Sequence, residues 1–200
     1  MHLIFIYSFI YINYVRSDEC GRIFCYRENG TRFHKDHVQV KDGSGRKTVP
    51  VWACFSADGP GTFVRINGRL NSVKYIDILE NYLLPAIRQR FQGRRMKFVQ
   101  DLSPIHSSRA VRAWFNAHPE IELLPWPAKG ADLNPIENIW GDIVKESECY
   151  RPRTADEVFD KARGIWDGFG ARPTYWQKLA YSIINRLRLV RENDGFWTKY

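Results

Sequence analysis

The segment from Trp126 to Trp140 constrains the fold of this chain more than any other. It begins as a proline-containing turn and continues as an amphipathic helix. Asn134 suits the N-cap of that helix, Pro135 suits its first position, and the apolar residues that follow repeat at helical spacing. Glu137 is therefore predicted in the first turn of a helix that follows an extended approach.

Two further acids follow strand-like runs. Asp101 ends the run that begins at Lys97, and Asp18 follows an apolar stretch that reaches Val15. If these strands are neighbours, both acids lie side by side and Glu137 reaches them from its helix. Two carboxylates about 4 Å apart repel by roughly 4 kcal/mol at an effective dielectric of ~20, so such a cluster predicts a cation. Oxygen ligands with open positions suit Mg²⁺ or Mn²⁺, and two such ions would support phosphodiester chemistry.

Each of these residues also has an ordinary structural interpretation. Glu137 lies three residues after Asn134, so it fits the acid of a capping box. Asp18 fits an exposed turn, and Asp101 fits a turn that ends a strand. His106 fits a surface or capping histidine, although it could also orient a ligand or contact a phosphate. The residue pattern alone leaves these alternatives open.

The composition favours a folded, basic protein of one domain. Hydrophobic residues make up 44% of the 200 residues, aromatic residues 14%, and the net charge is +8, which argues against disorder. A run of basic residues surrounds Asp101, which is the one acid within it. Such a run suits a polyanionic substrate, although it also fits a solubilising face. Its members are Arg88, Arg90, Arg94, Arg95, Lys97, Arg109 and Arg112. The four cysteines have no metal-binding spacing and are interpreted as reduced thiols.

The apolar run Leu3–Ile12 is open to several interpretations. It is too short to span a membrane. It has the length of a signal-peptide core, but no basic segment precedes it and no small-residue cleavage site follows. Its β-branched and aromatic residues favour a buried strand. It could also be non-native sequence, read from a misplaced start. A secreted or membrane-anchored protein is the alternative that depends on this run alone.

The remaining patterns predict a mixed α/β sheet with helical cover. Strands are expected at 48–55 and 62–66, joined as a hairpin, followed by a helix that Asn71 caps and Pro85 kinks. Further strands and short helices alternate up to Glu137. A capping box at Thr154 then opens the first of two C-terminal helices.

Several short motifs follow one another over roughly residues 15–147. They are Ser17-Asp18-Glu19, Val51-Trp-Ala-Cys-Phe-Ser56 with Gly59 and Gly61, Tyr75-Ile-Asp-Ile-Leu79, Gln100-Asp101 with Pro104 and His106, Trp126-Pro-Ala128, and Asp132-Leu-Asn-Pro-Ile-Glu137-Asn-Ile-Trp-Gly141. With these motifs in this order, the chain resembles the catalytic domain of cut-and-paste DNA transposases, in the Tc-one-like branch of the mariner superfamily.

The resemblance implies a fold, an activity and a site. The fold would be ribonuclease-H-like (DDE), a mixed five-stranded sheet flanked by helices, with a C-terminal helical extension. Asp18, Asp101 and Glu137 would hold two Mg²⁺ (or Mn²⁺) ions, and the basic run with His106 would contact DNA. The partners would be transposon ends and target DNA in the nucleus, and no membrane; a homodimer is left open. The expected divisions are a leader or first strand (1–15), the catalytic core (16–147) and the helical extension (148–200).

The chain also departs from the family pattern. Leu102 replaces the asparagine that usually follows the second aspartate, and Gly130 and Ala131 replace a Ser-Pro pair. The spacing between the second and third acids is one residue longer than usual. The helix-turn-helix domains expected before the core are missing from this sequence. The resemblance thus implies a truncated transposase whose catalytic domain cleaves and joins DNA phosphodiesters by a two-metal mechanism. The alternative is a catalytically inactive, transposon-derived nucleic-acid-binding protein.

Overall fold

The computed structural model describes residues 3–14, 47–92, 94–128, 130–147, 150 and 152–196, with side chains from residue 48 onward. Asp18 lies outside the described residues. The strands are β1 (Leu3–Tyr14), β2 (Lys47–Ser56), β3 (Gly59–Arg65), β4 (Met96–Val99) and β5 (Ile121–Leu123). The helices are α1 (Ser72–Ile78), α2 (Leu84–Phe91), α3 (Arg109–Ala117), α4 (Ile136–Glu146), α5 (Ala155–Phe169) and α6 (Pro173–Glu192), with a π-helical turn, Leu79–Leu83, between α1 and α2.

The five strands form one mixed sheet in the order β3-β2-β1-β4-β5. The β2–β3 hairpin is antiparallel, and its register pairs Ser56 with Gly59. Gly59 has φ +127°, a backbone conformation that glycine adopts without a steric penalty. β1 is antiparallel to β2 and parallel to β4, and β4 is parallel to β5. The mixed α/β fold predicted from the sequence is confirmed.

Alternation along the strands divides the core into two layers. Val51, Ala53 and Phe55 of β2 face the layer formed by α4, α5 and α6. Trp52 and Cys54 face the opposite layer, formed by α1, the π-helical turn, α2 and α3. Successive strand residues point to opposite faces of the sheet, and here both sets are buried under helices. This apolar strand is therefore covered on both faces. The sheet is therefore the middle layer of the fold.

The first helical region is continuous but irregular. The Asn71 side chain accepts a hydrogen bond from the Lys74 amide at 2.9 Å, so the predicted cap is present. The kink expected at Pro85 takes the form of the π-helical turn that precedes it, and Pro85 lies in the first turn of α2. Proline has no amide proton to donate to the turn before it, and the wider turn accommodates this loss.

The C-terminal helices complete one face of the sheet. Thr154 caps α5 by accepting a hydrogen bond from the Glu157 amide at 3.1 Å, as the capping box predicts. Trp166 of α5 and Trp176 of α6 are buried against the β2–β3 hairpin, with ring centroids 5.4 Å apart. Within the described part of the chain, no helix combines the length and the apolar character needed to cross a membrane.

Candidate active site

Asp101 lies just beyond the end of β4, where it is held by two hydrogen bonds. Its Oδ1 atom accepts one from the Ser103 amide at 3.0 Å and one from His106 Nδ1 at 2.5 Å. The first bond is the strand-ending turn that the sequence allowed. The Asp101 side chain is 30% exposed, so the carboxylate is fixed in place and still open to solvent.

His106 is buried, which contradicts its interpretation as a surface histidine. Its side chain is only 1% exposed, and its ring centroid lies 4.3 Å from that of Tyr75. The Tyr75 hydroxyl donates to Gln100 Oε1 at 2.6 Å, and Gln100 Nε2 donates to the His106 carbonyl oxygen at 3.4 Å. A buried ring cannot contact a DNA backbone, so its assignment to the DNA-contacting residues is wrong. Orienting Asp101 is the predicted role that fits.

The electrostatics of this network keep Asp101 ionised. Burial would raise the pKa of the Asp101 carboxyl, but the hydrogen bonds from His106 and Ser103 outweigh burial, and the pKa is lowered from its usual 3.8. Burial raises the pKa of Tyr75 well above its usual value, and the Asp101 charge raises it further. Tyr75 therefore remains a protonated donor to Gln100, while Asp101 carries a full negative charge at neutral pH.

Asp101 also lines a surface groove of about 280 Å³. The other wall comes from the loop that leads to α4 and includes Trp126, Gly130 and Asn134. Leu102 and Ser103 line the groove beside Asp101. The two motifs that the sequence analysis singled out therefore face one another across this groove.

Glu137 lies in the first turn of α4, as predicted. The helix begins at Ile136, one residue later than expected, with Pro135 at its N-cap position. The Asn134 side chain still accepts a hydrogen bond from the Ile136 amide at 3.3 Å, and the Asn134 carbonyl accepts one from the Glu137 amide at 3.3 Å. Asn134 lines the same groove as Asp101. The hydrogen-bonded turn from Asn134 to Glu137 therefore starts at that groove.

Asp18 is the third predicted ligand, and its position stays a prediction. β1 and β4 are parallel neighbours, as the hypothesis required, and Phe5 pairs with Val99. β1 then continues to Tyr14, well beyond the end of β4, so the two strand ends are not level. Within the described residues, no group of three or more potential metal-binding side chains occurs.

The chemistry of the described residues nevertheless fits a divalent cation. One Asp101 oxygen receives both protein hydrogen bonds, so the other oxygen is available to a ligand. Among the described residues, His106 is the sole ion-pair partner of Asp101. An ionised, solvent-accessible carboxylate whose charge is not cancelled by lysine or arginine is the type of ligand that Mg²⁺ and Mn²⁺ prefer.

Arg186 of α6 is a residue that the sequence reasoning missed. It is 1% exposed and donates from Nη1 to the Asp132 carbonyl at 2.7 Å and from Nη2 to Asn138 Oδ1 at 2.5 Å. It therefore joins the last helix to both sides of the Glu137 turn. The available signal was an arginine in register with the buried Trp176, Leu179 and Ile183.

The predicted basic run is only partly available to a ligand. Arg88 pairs with Glu120 at 3.4 Å, and Lys97 pairs with Glu122 at 3.9 Å, so acids on and beside β5 offset the charge from β4 and α2. Arg95 is also 4.0 Å from Glu122. The side chains of Arg90 and Arg94 also donate hydrogen bonds to backbone carbonyl oxygens, those of Pro60 and Phe91 respectively. Arg109 and Arg112 are exposed on α3 and form no ion pair with the described residues.

Comparisons with known proteins identify the family. The model of the DDE superfamily endonucleases matches residues 17–158. The transposase of transposable element Tcb2 from Caenorhabditis briggsae is 32% identical over 198 residues, which cover 94% of this chain and 70% of that protein. This chain belongs to the DDE superfamily endonucleases. The Tc1 transposase of Caenorhabditis elegans is also 32% identical, over 90% of this chain and 64% of that protein.

Solved structures of the same fold extend this result. A pre-cleavage Mos1 transpososome matches with a TM-score of 0.78 and 17% identity, covering 98% of this chain and 57% of that chain. The catalytic domain of Mos1 mariner transposase matches with a TM-score of 0.66 and 19% identity, over 76% of this chain and 77% of that domain. The DDE endonuclease described here thus has the fold of a transposase catalytic domain, and it spans just over half of the complete Mos1 chain.

Proposed function

We propose that this DDE endonuclease cleaves and joins DNA phosphodiester bonds, with Asp18, Asp101 and Glu137 holding two Mg²⁺ or Mn²⁺ ions. The observation that carries the proposal is the anchoring of Asp101. A buried His106 and the Ser103 amide both bind one carboxylate oxygen, and Asp101 lines a groove that also includes Asn134, just before the Glu137 helix. Asp18 is included because of its position in the family motif.

The sheet supports a ribonuclease-H-like fold for this domain. Its strand order, β3-β2-β1-β4-β5, has an antiparallel hairpin on one side and parallel strands on the other. In this arrangement Asp101 follows the strand next to the central β1, and α4 packs against β1. This arrangement supports the proposal, because the strand that ends before Asp101 and the helix that carries Glu137 are both neighbours of β1.

The described residues would prepare the site before any substrate binds. His106 and Ser103 hold the Asp101 carboxylate in one orientation, and Arg186 ties the Glu137 turn to α6. Side chains that are already held in place lose little conformational freedom when a metal ion binds, which favours binding and catalysis. When bound, the divalent ions would activate the attacking water or 3′-hydroxyl and stabilise the leaving oxygen.

The substrates in this proposal are transposon ends and target DNA. Its support is the family membership, together with Mos1 structures described as paired end complexes with Mg and with Mn. The same paired-end complexes motivate a homodimer as the working assembly, and the DNA substrate motivates a nuclear location. Arg109 and Arg112 are the best-placed cations for the DNA backbone because no described acid pairs with either of them.

Metal-dependent nicking of supercoiled plasmid tests the activity. With Mn²⁺ or Mg²⁺, the protein should nick DNA, and Asp18→Asn, Asp101→Asn and Glu137→Gln should each reduce the rate on the order of a hundredfold or more. Asp160→Asn is the matched control, since Asp160 is an exposed acid on α5. Nicking that survives Asp101→Asn would overturn the assignment. Salt-sensitive DNA binding without any nicking would instead favour an inactive nucleic-acid-binding protein.

A further inference from the structure

The groove beside Asp101 has an apolar component that the metal chemistry does not use. Trp126 lines one wall and is half-buried, with part of its side chain packed against the core. Leu102 lines the other wall and is 54% exposed. An exposed leucine contributes little to packing, and here it lies next to a charged carboxylate. The groove thus combines an aromatic surface and an aliphatic surface with the candidate catalytic acid.

We infer that this groove is a nucleobase subsite, in which the base next to the scissile phosphate stacks on the Trp126 indole and contacts Leu102. The inference rests on the proposed function, because that function places the phosphate at Asp101. A nucleotide carries its base one sugar away from its phosphate, and both walls belong to the same groove as Asp101. Aromatic side chains hold unpaired bases of any sequence, because every base has a π-face.

The size and polarity of the groove suit one base. Its volume of about 280 Å³ is just below the usual range for small-ligand sites, too small for a duplex and adequate for a single planar group. Ser103 and Asn134 supply polar atoms among apolar walls. A base that enters it must leave the duplex stack, which is the common route when an enzyme needs access to a nucleotide.

Gly130 helps to set the position of the indole. A Cβ atom at this residue would lie 3.2 Å from Trp126 Nε1 and 3.0 Å from Pro127 Cγ. Both distances are tighter than ordinary contacts, so any side chain at this position would push against the Trp126 ring or the Pro127 ring. The glycine found here in place of the serine usual in the family therefore lets the loop close against the tryptophan.

The test combines protein variants with altered DNA in one binding cycle. A series of short duplexes carries a single abasic or 2-aminopurine nucleotide that moves along one strand, and affinity is measured by fluorescence anisotropy without divalent metal. The variants are Trp126→Ala, Trp126→Phe and Leu102→Ala. Tyr181→Ala is the control, since Tyr181 is a 64% exposed aromatic residue on α6 that does not line this groove.

The inference predicts that Trp126→Ala weakens binding of intact DNA by about 5-fold to 100-fold, as expected for the loss of one stacked base. Trp126→Phe should retain most of the affinity. When the abasic nucleotide replaces the stacked base, the affinity of the wild type should fall by the same factor. At that position Trp126→Ala should cause no further loss of affinity. 2-Aminopurine at that position should be quenched by the wild type and not by Trp126→Ala. Leu102→Ala should cost about two- to fivefold.

Equal weakening of intact and abasic DNA by Trp126→Ala would show that the tryptophan only supports the loop, and would overturn the inference. If Trp126→Ala fails to fold, Trp126→Phe and Leu102→Ala decide the question, because unchanged 2-aminopurine quenching and affinity in Leu102→Ala would also refute the subsite. The outcome is separable from the proposed function. Base-dependent binding without metal-dependent nicking would retain the subsite and reject the endonuclease, and the opposite result would reject the subsite alone.

Discussion

Replacing Arg186 should loosen the attachment of α6 to the Glu137 turn. The guanidinium is buried and donates hydrogen bonds to Ser182 Oγ within α6 at 3.0 Å, to the Asp132 carbonyl at 2.7 Å and to Asn138 Oδ1 at 2.5 Å. The last two join α6 to another part of the chain. They span the beginning of α4, so they hold the helix that carries Glu137 from both sides.

The cost of Arg186→Met follows from these two bonds. Hydrogen bonds that involve a charged group each contribute roughly 1.5–3 kcal/mol, so their loss costs about 3–6 kcal/mol. Methionine fills much of the volume of the arginine stem. It also removes a buried charge, and the desolvation cost that is avoided offsets part of the lost hydrogen-bond energy. Asn138 is exposed, so water can donate to its side-chain oxygen in place of the Arg186 guanidinium. The expected decrease in the free energy of unfolding is therefore about 1–3 kcal/mol.

Urea denaturation at neutral pH, followed by tryptophan fluorescence, measures this decrease as a lower midpoint at constant m-value. Arg186→Lys should be no more stable than Arg186→Met, because an ammonium keeps the buried charge but loses the planar fork. Arg191→Met, at an exposed arginine in the last turn of α6, is the control and should change stability by less than about 0.5 kcal/mol. Wild-type stability in Arg186→Lys would refute the reasoning.

Three further predictions address other parts of the molecule. Gly61→Ala would place a Cβ atom 2.5 Å from Cys54 Sγ and should cost about 1–3 kcal/mol in urea denaturation. Gly164→Ala, which has open space in α5, should stabilise by roughly 0.5–1 kcal/mol, and equal effects would contradict the packing described. Burial raises the pKa of the Cys54 thiol from 9.0 to about 11, so its contribution to stability is complete below pH 9 and is lost as the pH rises toward 11. The free energy of unfolding should therefore fall less steeply over that interval in Cys54→Ala than in the wild type, and parallel curves would refute this. Replacing Arg109 and Arg112 by alanine should reduce the salt slope of DNA binding by about 2, measured by fluorescence anisotropy, whereas an unchanged slope would place α3 away from the DNA.

Local patterns in the sequence predicted much of the fold because they depend on near neighbours. The apolar run of β2, the Asn71 cap and the capping box at Thr154 all occur where expected. The start of α4 was misplaced by one residue, since Pro135 occupies the cap position while Asn134 caps through its side chain. Such boundaries depend on a single backbone conformation that composition does not determine.

The parts of the site that could not be predicted depend on contacts between distant residues. The burial of His106 follows from its packing on Tyr75, and nothing near His106 in the sequence indicates that contact. The groove between Asp101 and Trp126 likewise depends on how the loop before α4 returns to β4. The acceptors of the Arg186 guanidinium also lie far away in the chain, so its register with the buried side of α6 indicates burial and does not indicate these partners. The level at which β1 pairs with β4 also could not be derived from either strand alone.

Binding of Mn²⁺ tests the central claim most directly, because it needs neither a DNA sequence nor turnover. Titration of the protein with Mn²⁺, followed by electron paramagnetic resonance of the free ion, should show saturable binding in the wild type and in the Asp160→Asn control. Asp101→Asn and Glu137→Gln should each weaken that binding by at least about tenfold, since each removes a charged oxygen ligand. Mn²⁺ affinity that is unchanged in both variants would contradict the assignment of these carboxylates as metal ligands.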